Sequence, residues 1–298
     1  MHSFIRILGK DIPLYSLFAI AGAVAIIAYC TVQCRFPRKN RVKIESQDML
    51  FMLIYAAIGA VIGAKLMYIV TSVDFNWYPD KSFFDNIKIW AVLIATSGLV
   101  FYGGLIGAAL GAIIYIKKFK TPCSEMLDIA FAGVPLFHSF GRIGCFMAGC
   151  CYGTEYHGPF SVVFPEGNIG MAPAGIELLP VQLIEAAVNL ILWAVLVVVY
   201  NKTVRRWLTS GLYLICYGIL RFILEFFRGD LIRGHISFLS SSQFISFFII
   251  AAGVVLIVKP AWLDRIAVKN DKKYLLWVAD HKEKIREYKE KKAAGRTK

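Results

Sequence analysis

Charged side chains recur at helical spacing inside apolar segments of this sequence. His138, Arg142 and Cys145 are spaced i, i+4 and i+7, so they share one face of a helix. An ionisable side chain at membrane depth costs roughly 2.5–3.5 kcal/mol on insertion scales, and it is normally kept where it faces a cavity, a partner or a substrate. Arg142 is therefore a candidate ligand-binding residue.

A second set of charged residues, Arg221, Glu225 and Arg228, has the same spacing in another apolar segment, so these residues are predicted to share one helical face. Arg221 and Glu225 are able to pair within that helix, but this pairing leaves Arg142 and Arg228 without an assigned partner. A guanidinium forks onto phosphate in a bidentate geometry that a lysine does not reproduce. We therefore predict that Arg142, Arg221 and Arg228 bind the phosphate of an anionic phospholipid near the external face of a membrane.

Three thiols, Cys145, Cys150 and Cys151, gather at the end of the segment that carries Arg142. They admit four interpretations: metal binding, a labile disulfide, a covalent acceptor, or small packing residues. A metal would require a fourth ligand such as His138 or His157, and the spacing is not the paired Cys-x-x-Cys of a zinc site. Small residues are common at membrane helix interfaces, so packing is favoured and no metal is predicted.

The segments that position these residues are predicted to be membrane-spanning helices. Hydrophobic residues make up 58% of the 298-residue chain, charged residues only 18%, and the mean hydropathy is +0.61. A helix needs about 20 apolar residues to cross about 30 Å of hydrocarbon. Seven such windows occur, at residues 12–31, 49–71, 90–116, 126–150, 180–200, 210–228 and 242–258. The third window is long enough to include a broken portion around Gly103 and Gly104.

This pattern predicts an all-α integral membrane protein with seven transmembrane helices and a small external cap. The transmembrane domain covers residues 1–258, the cap covers residues 152–179, and a basic tail covers residues 259–298. Basic residues follow the first, third and fifth windows and recur in the tail, so these segments are predicted to be cytoplasmic. The C-terminus then lies inside and the N-terminus outside. Attraction to anionic membrane lipids accounts for the net charge of +13, and we expect no nucleic-acid partner.

Several short motifs follow one another in a fixed order. The weaker matches to a known pattern are Tyr15 and the segment Gly63-Ala64-Lys65-Leu66-Met67-Tyr68. The stronger ones are Tyr102-Gly103-Gly104-Leu105, Gly141-Arg142-x-Gly144 with Gly153, Pro180 with Gln182 and Glu185, Tyr217-Gly218 with Arg221, Glu225 and Arg228, and Leu239-Ser240 with Gln243 and Ser246. Over nearly the whole chain, this set resembles the bacterial prolipoprotein diacylglyceryl transferase family.

The resemblance implies a plasma-membrane enzyme, without a cofactor, that moves a diacylglyceryl group from phosphatidylglycerol to the lipobox cysteine of a prolipoprotein signal peptide. It also implies that arginines hold the lipid phosphate while a base helps the cysteine thiolate to attack the glyceryl carbon. The predicted catalytic residues are Tyr102, His138, Arg142, Arg221 and Glu225, and those on the phosphate are Arg142, Arg221 and Arg228. The predicted supporting residues are Tyr15, Gly103, Gly104, Cys145, Cys150, Gly153, Gln182, Glu185, Ser240 and Gln243.

The identity of the base stays open between two residues. Tyr102 stands where the family has histidine, and a tyrosine has an ordinary pKa near 10, which makes it a weak base at neutral pH. His138 has a better matched ordinary pKa, although a lone histidine in a membrane helix is more often a hydrogen-bonded structural residue.

The chain departs from the family pattern where the family has polar residues. Leu179 replaces a histidine, Cys145 and Ala148 replace asparagines, and Cys150 replaces the signature glutamate. The alternative function is therefore a non-catalytic or re-purposed phospholipid-binding protein of the same fold, acting on a different acceptor. We expect an enzyme, because a chain free of catalytic demands has little need to keep so many charged and polar residues in apolar helices.

Overall fold

The computed structural model describes residues 4–7, 10–36, 41–72, 78, 80–96, 98, 100–230, 235–236, 239–258 and 261–294. Within these ranges the chain forms helices α1 (Leu14–Arg35), α2 (Ser46–Ser72), α3 (Phe83–Thr96), α4 (Phe101–Phe119), α5 (Cys123–Ala148), α6 (Val181–Lys202), α7 (Leu208–Leu224), α8 (Ser241–Val258) and α9 (Ala261–Ala294). A 3-10 turn, Glu225–Phe227, follows α7. Three short antiparallel hairpins pair β1 (Phe4–Ile7) with β2 (Lys10–Pro13), β3 (Val162–Val163) with β4 (Glu177–Leu178), and β5 (His235–Ile236) with β6 (Leu239–Ser240).

Seven helices in the described part of the chain are long and apolar enough to cross a membrane. They are α1, α2, α4, α5, α6, α7 with its following turn, and α8. Each overlaps one predicted window, so the multi-span, all-α prediction is confirmed. The protein is a multi-pass membrane protein.

Two helices occupy the third predicted window, residues 90–116, which was predicted to include a broken portion around Gly103 and Gly104. Helix α3 ends at Thr96 and α4 begins at Phe101. At 1.5 Å per residue, the 14 residues of α3 extend only about 21 Å, too short to cross the hydrocarbon core. The break precedes Gly103 and Gly104, which lie in the first turn of α4 rather than at the interruption.

The chain folds as two compact units, each built from segments distant in sequence. The first unit contains residues 1–44 and 124–268, and the second contains residues 45–123 and 269–298. The predicted boundary between a transmembrane domain and a tail at residue 258 stays a prediction.

In the second unit, α2 and α4 pack through glycines. A Cβ on Gly107 would lie 2.0 Å from the Gly59 carbonyl oxygen, and one on Gly103 would lie 2.3 Å from the Gly63 carbonyl oxygen. Within α2, Gly59 and Gly63 have small-x-x-x-small spacing, as do Gly103 and Gly107 within α4. This spacing lets membrane helices approach until their backbones touch. The sequence therefore fixes this close contact by omitting side chains.

The predicted tail is largely an ordered helix. In the second unit, the Tyr274 hydroxyl of α9 donates to Asp48 Oδ2 at 2.8 Å, and the Tyr115 hydroxyl of α4 donates to Asp48 Oδ1 at 2.9 Å. The Glu45 backbone N–H donates to the Tyr274 hydroxyl at 3.2 Å. These bonds hold α9 at the start of α2.

In the first unit, a buried carboxylate organises the start of α7. Asp128 on α5 accepts hydrogen bonds from the backbone N–H groups of Trp207 and Ser210 at 2.9 Å each, and from the Ser210 hydroxyl at 2.7 Å. It thus satisfies first-turn donors of α7, as an N-cap side chain does. This contact fixes the α7 segment against α5.

The cap between α5 and α6 is a small folded layer. Its core contains Phe164, Ala172 and Leu178, with Phe146 of α5 packed against it. The β3–β4 hairpin spans this core and was not predicted from the sequence. Two-residue strands carry too little periodicity to be recognised in a Gly- and Pro-rich segment.

Candidate active site

An ion pair joins α5 to α6 at the candidate site. Arg142 Nε lies 3.0 Å from Glu185 Oε1, and the side chains are 17% and 1% exposed. Glu185 lies on the buried face of α6 together with Gln182, Ala186 and Asn189, which recur at helical spacing. The other carboxylate oxygen of Glu185 is buried without a hydrogen-bond partner in the described structure. The sequence had assigned no partner to Arg142, and Glu185 is that partner.

Arg221 lies at the end of α7 and contacts two elements. Its Nη2 lies 3.0 Å from Glu225 Oε2, so the pairing within the segment is confirmed. The same nitrogen donates to the Ser242 hydroxyl of α8 at 3.1 Å, and Nη1 is buried with no hydrogen-bond partner in the described structure. The charges of both Arg142 and Arg228 act on Arg221. The three guanidinium groups therefore share one electrostatic environment.

Arg228 does not share a helical face with Arg221, and that prediction was wrong. Helix α7 ends at Leu224, a 3-10 turn follows, and Arg228 has extended backbone angles, φ −87° and ψ 136°. Its Nε and Nη2 both donate to the Asp230 carboxylate at 2.9 Å, while Nη1 is buried with no hydrogen-bond partner in the described structure. Burial opposes the charge, but the hydrogen bonds to Asp230 and the contact with Cys151 raise the pKa of Arg228.

Backbone pairing explains Gly153, which the sequence placed among the supporting residues. Gly153 and Arg228 form an antiparallel β-bridge, and the Gly229 N–H donates to the Tyr152 carbonyl at 3.1 Å. A Cβ on Gly153 would lie 2.4 Å from the Leu179 carbonyl oxygen. Glycine is therefore required where the start of the cap passes between the segment carrying Arg228 and the start of α6.

The three thiols meet beside the arginines. The Sγ atoms of Cys145, Cys150 and Cys151 all lie within 4.8 Å of one another. Gln182 Nε2 donates to the Cys150 carbonyl at 2.8 Å, and the Cys150 N–H donates to the Cys145 carbonyl at 3.1 Å. Cys151 has φ +61°, a left-handed conformation uncommon for residues other than glycine. This sharp turn after α5 brings the thiols together.

Cys151 is a member of the site that sequence reasoning had left without a role. Hydrogen bonds from the Cys145 and Cys150 thiols, together with the charges of Arg228 and Arg142, lower the pKa of Cys151. The one signal in the sequence was its position next to Cys150 within the signature. The sequence grouped the three thiols, but the chain direction after a helix end is not readable from spacing alone, so the approach of Cys151 to Arg228 was not predictable.

His138 lies in an aromatic cluster between α5 and α7. Its Nδ1 lies 3.3 Å from the Tyr213 hydroxyl, and its ring centroid lies 4.9 Å from that of Tyr217. Tyr213 and Tyr217 stack at 5.6 Å with an interplanar angle of 13°. These contacts give His138 a packing role, while its catalytic role stays a prediction.

Ser240 and Gln243 form a reciprocal cap at the start of α8. The Gln243 N–H donates to the Ser240 hydroxyl at 3.2 Å, and the Ser240 N–H donates to Gln243 Oε1 at 3.1 Å. This is the capping-box arrangement. It fixes the first turn of α8, which presents Ser242 to Arg221, so both residues act on the site through position.

The remaining predicted residues lie in two places. Tyr15 begins α1 in the first unit and packs near Gly144, where a Cβ would lie 3.2 Å from Tyr15 Cδ2. Tyr102, Gly103 and Gly104 lie in the first turn of α4 in the second unit. Gly103 has a packing role against α2, and the chemical roles of Tyr102, Gly103 and Gly104 stay predictions.

The fold and this site define a multi-pass membrane protein with three largely buried arginines, two of them on membrane-spanning helices and the third just after one. The profile of the prolipoprotein diacylglyceryl transferase family matches residues 2–259, and the chain belongs to that family. The resemblance noted from the motifs is confirmed.

Similar proteins carry the name phosphatidylglycerol–prolipoprotein diacylglyceryl transferase. One from Clostridium tetani is 35% identical over 246 residues, covering 81% of this chain and 94% of the relative. A second, from Clostridium perfringens, is 36% identical over 212 residues, covering 71% and 78%. A third, from Acinetobacter baumannii, is 31% identical over 188 residues, covering 61% and 65%.

Proposed function

We propose that this protein transfers a diacylglyceryl group from phosphatidylglycerol to the lipobox cysteine of a prolipoprotein. The observation that carries this proposal is the grouping of Arg142, Arg221 and Arg228 in one electrostatic environment within a member of this family. A phosphodiester is the anion that suits several guanidinium groups, because each guanidinium offers a planar fork of donors.

The arginines are suited to binding the phosphate and stabilising it as it leaves. Arg221 Nη1 and Arg228 Nη1 are buried donors without hydrogen-bond partners in the described structure, so both are available to phosphate oxygens. Negative charge on the phosphate grows as the glyceryl C–O bond breaks, and preorganised donors in a dry site stabilise that charge. Glu185 holds the Arg142 guanidinium in place through an ion pair, and Glu225 holds that of Arg221 in the same way.

The acceptor thiol must lose its proton to become a nucleophile. A free cysteine has a pKa near 8.5, so only a small fraction is thiolate at neutral pH. Within this proposal, Tyr102 or His138 accepts the proton, and the positive charge of the arginines favours the thiolate. The thiolate sulfur then attacks the glyceryl carbon and glycerol phosphate leaves.

The proposed orientation places the N-terminus outside and the C-terminus in the cytoplasm of a bacterial plasma membrane. The basic residues after the first, third and fifth predicted windows support this arrangement through the positive-inside rule. The same residues, with those of α9, are proposed to contact anionic membrane lipids. The arginine site and the cap then lie at the external face of the membrane.

The proposal is tested by incubating the full-length protein in vesicles with labelled phosphatidylglycerol and a lipobox peptide. Lipidated peptide, detected by mass spectrometry, is the expected product. Arg221→Gln should reduce its formation by at least about 100-fold, because a donor acting on developing charge contributes about 2.7–4 kcal/mol. Arg265→Gln, on an exposed position of α9, is the matched control and should leave turnover unchanged.

Binding without transfer would contradict the enzymatic proposal. If the wild-type protein retains labelled phosphatidylglycerol but yields no lipidated peptide, the chain is a lipid-binding member of the family. Loss of retention in Arg221→Gln would then still assign the phosphate site.

A further inference from the structure

The cluster of Cys145, Cys150 and Cys151 has no role in the proposed transfer, although it lies beside the arginines. Arg142 lies near enough to Cys145 and Cys151 to interact with them electrostatically, and Arg228 contacts Cys151. Two of the three thiols replace polar residues of the family signature. These substitutions place sulfur at two positions where the family pattern has oxygen- and nitrogen-containing side chains.

The positions of the sulfurs suit a tetrahedral metal ion. With Zn–S bonds of about 2.3 Å, ligand sulfurs in a tetrahedral site lie about 3.8 Å apart. The three Sγ atoms already lie within 4.8 Å of one another, so rotation about side-chain bonds covers the remaining distance. Thiolate ligands favour zinc and other soft metals over magnesium or calcium. The sequence spacing differs from the paired Cys-x-x-Cys of a zinc site, but this difference does not exclude a metal ion in the folded chain.

The surroundings of the cluster stabilise a bound metal. Three thiolates and one Zn²⁺ leave one net negative charge, which would lie next to the guanidiniums of Arg142 and Arg228, each also paired with a carboxylate. The contact between Arg228 and Cys151 places a donor next to this thiol, where an outer-shell group could orient a metal ligand. Gln182 fixes the Cys150 backbone through its 2.8 Å hydrogen bond. Positive neighbours thus favour the thiolate complex, although they would oppose a bare cation.

The coordination shell also contains an open position. Within the described residues, the group of potential ligands contains these three cysteines and no His, Asp or Glu. His157 lies between two carboxylates, with ring nitrogens 3.1 Å from both Glu155 and Glu177. Three protein ligands with a fourth position free is the arrangement of catalytic zinc sites rather than structural ones.

We propose that Cys145, Cys150 and Cys151 bind one zinc ion whose fourth position receives the acceptor cysteine of the substrate. This inference rests on the proposed transferase function, and it assigns to the metal the task of activating the thiol. It is consistent with Tyr102 at the position where the family has histidine, because a metal-bound thiol is deprotonated without a side-chain base.

The step balances without any further reactant. The acceptor thiol releases its proton to external water as its sulfur binds zinc. That sulfur then attacks the glyceryl carbon, a C–S bond forms, and the C–O bond breaks with its electron pair passing to the phosphate. Glycerol phosphate leaves, and the neutral thioether, a weaker ligand than a thiolate, dissociates from zinc. Metal coordination in this step activates the nucleophile.

The metal site is tested on the full-length protein in detergent. The protein is reduced, stripped with a chelator, incubated with Zn²⁺ and desalted, and its zinc content is measured by elemental analysis. We expect about one zinc per chain, as for a single three-thiolate site. Cd²⁺ added in place of Zn²⁺ should produce a sulfur-to-metal charge-transfer band in the ultraviolet.

Single variants assign the ligands. Cys145→Ser, Cys150→Ser and Cys151→Ser should each lose stoichiometric zinc and weaken the cadmium band. Cys216→Ser, which alters an exposed thiol of α7, should retain both. If a ligand variant fails to fold, the cadmium band of the wild-type protein still decides. A reduced, folded wild-type protein that shows neither zinc nor the band overturns the site.

Transfer assays separate this inference from the proposed function. Chelator-stripped wild-type protein should lose lipid transfer and regain it with Zn²⁺. Full turnover without metal overturns the activation step and leaves the transferase proposal intact. Zinc bound by the three cysteines in a protein that transfers no lipid supports the metal site and contradicts the transferase proposal.

Discussion

Arg142 Nε lies 3.0 Å from Glu185 Oε1, and this contact links the helix that carries the thiols to the helix that follows the cap. Glu185 offers its second oxygen to no described group, so the carboxylate is held by one partner only. The contact with Glu185 uses one of the five guanidinium N–H donors of Arg142.

Removing the carboxylate of Glu185 should impair both folding and transfer. Breaking a buried ion pair by removing one partner costs about 3–5 kcal/mol. We expect Glu185→Gln to lower the Tm by at least about 5 °C and to reduce lipid transfer. Thermal unfolding in detergent and the vesicle assay measure these effects. Glu166→Gln, an exposed change in the cap, is the control, and equal Tm values for the two variants would contradict the prediction.

Arg228→Lys tests the forked geometry separately from charge. The guanidinium makes two 2.9 Å bonds to Asp230 and retains a further donor, whereas an ammonium is a point charge. We expect the KM for phosphatidylglycerol to rise about tenfold, equivalent to about 1.4 kcal/mol. Arg205→Lys, in the loop between α6 and α7, is the matched control. An unchanged KM in Arg228→Lys would show that charge alone is sufficient.

His138→Gln decides whether this residue is the base. Its contacts with Tyr213 and Tyr217 predict a loss of packing, so the Tm should fall. If zinc activates the acceptor thiol, turnover at neutral pH should remain within about threefold of wild type. A base that contributes to proton transfer is worth about 100-fold or more, so a loss of that size would restore His138 as the base.

A pair of glycine variants tests the α2–α4 contact. Gly107→Ala places a Cβ 2.0 Å from the Gly59 carbonyl oxygen, whereas Gly104→Ala meets only Ala60 and Ala64 atoms at 3.5 Å. Overpacking of this kind costs about 1–3 kcal/mol or more. Gly107→Ala should lower the Tm by several degrees, and Gly104→Ala should leave it nearly unchanged. Similar Tm values would contradict the packing described for this unit.

The cap should be more stable at mildly acidic pH. Hydrogen bonding to Glu177, followed by the contact with Glu155, raises the pKa of His157. A histidine whose folded pKa exceeds the unfolded value near 6.5 adds stability that is fully present below that pH and is lost as pH rises through the folded pKa. As pH rises through the folded pKa of His157, the Tm of wild type should therefore fall relative to that of His157→Gln. Parallel pH profiles would contradict the pairing.

Much of the fold followed from the sequence because membrane spans have a simple physical signature. Apolar windows of sufficient length located the seven described helices that can cross a membrane, and spacing placed His138, Arg142 and Cys145 on α5. The break between α3 and α4 was misplaced, because a glycine pair marks close packing as readily as it marks an interruption.

The partners within the site were less predictable than its members. Helical periodicity identifies which residues share a face, but it does not reveal the residue on a neighbouring helix, so the Arg142–Glu185 pair was not foreseen. Arg228 was assigned to a helical face because nothing in the sequence marks the end of α7 at Leu224. Its pairing with Asp230 follows from that extended backbone.

The β-bridge between Gly153 and Arg228 joins the start of the cap to the segment that carries the third arginine. A cap that opens far enough to break this bridge also displaces a guanidinium from its place beside the thiols. If Arg228 binds the lipid phosphate as proposed, displacement of the cap at this bridge would also weaken the hold on the lipid.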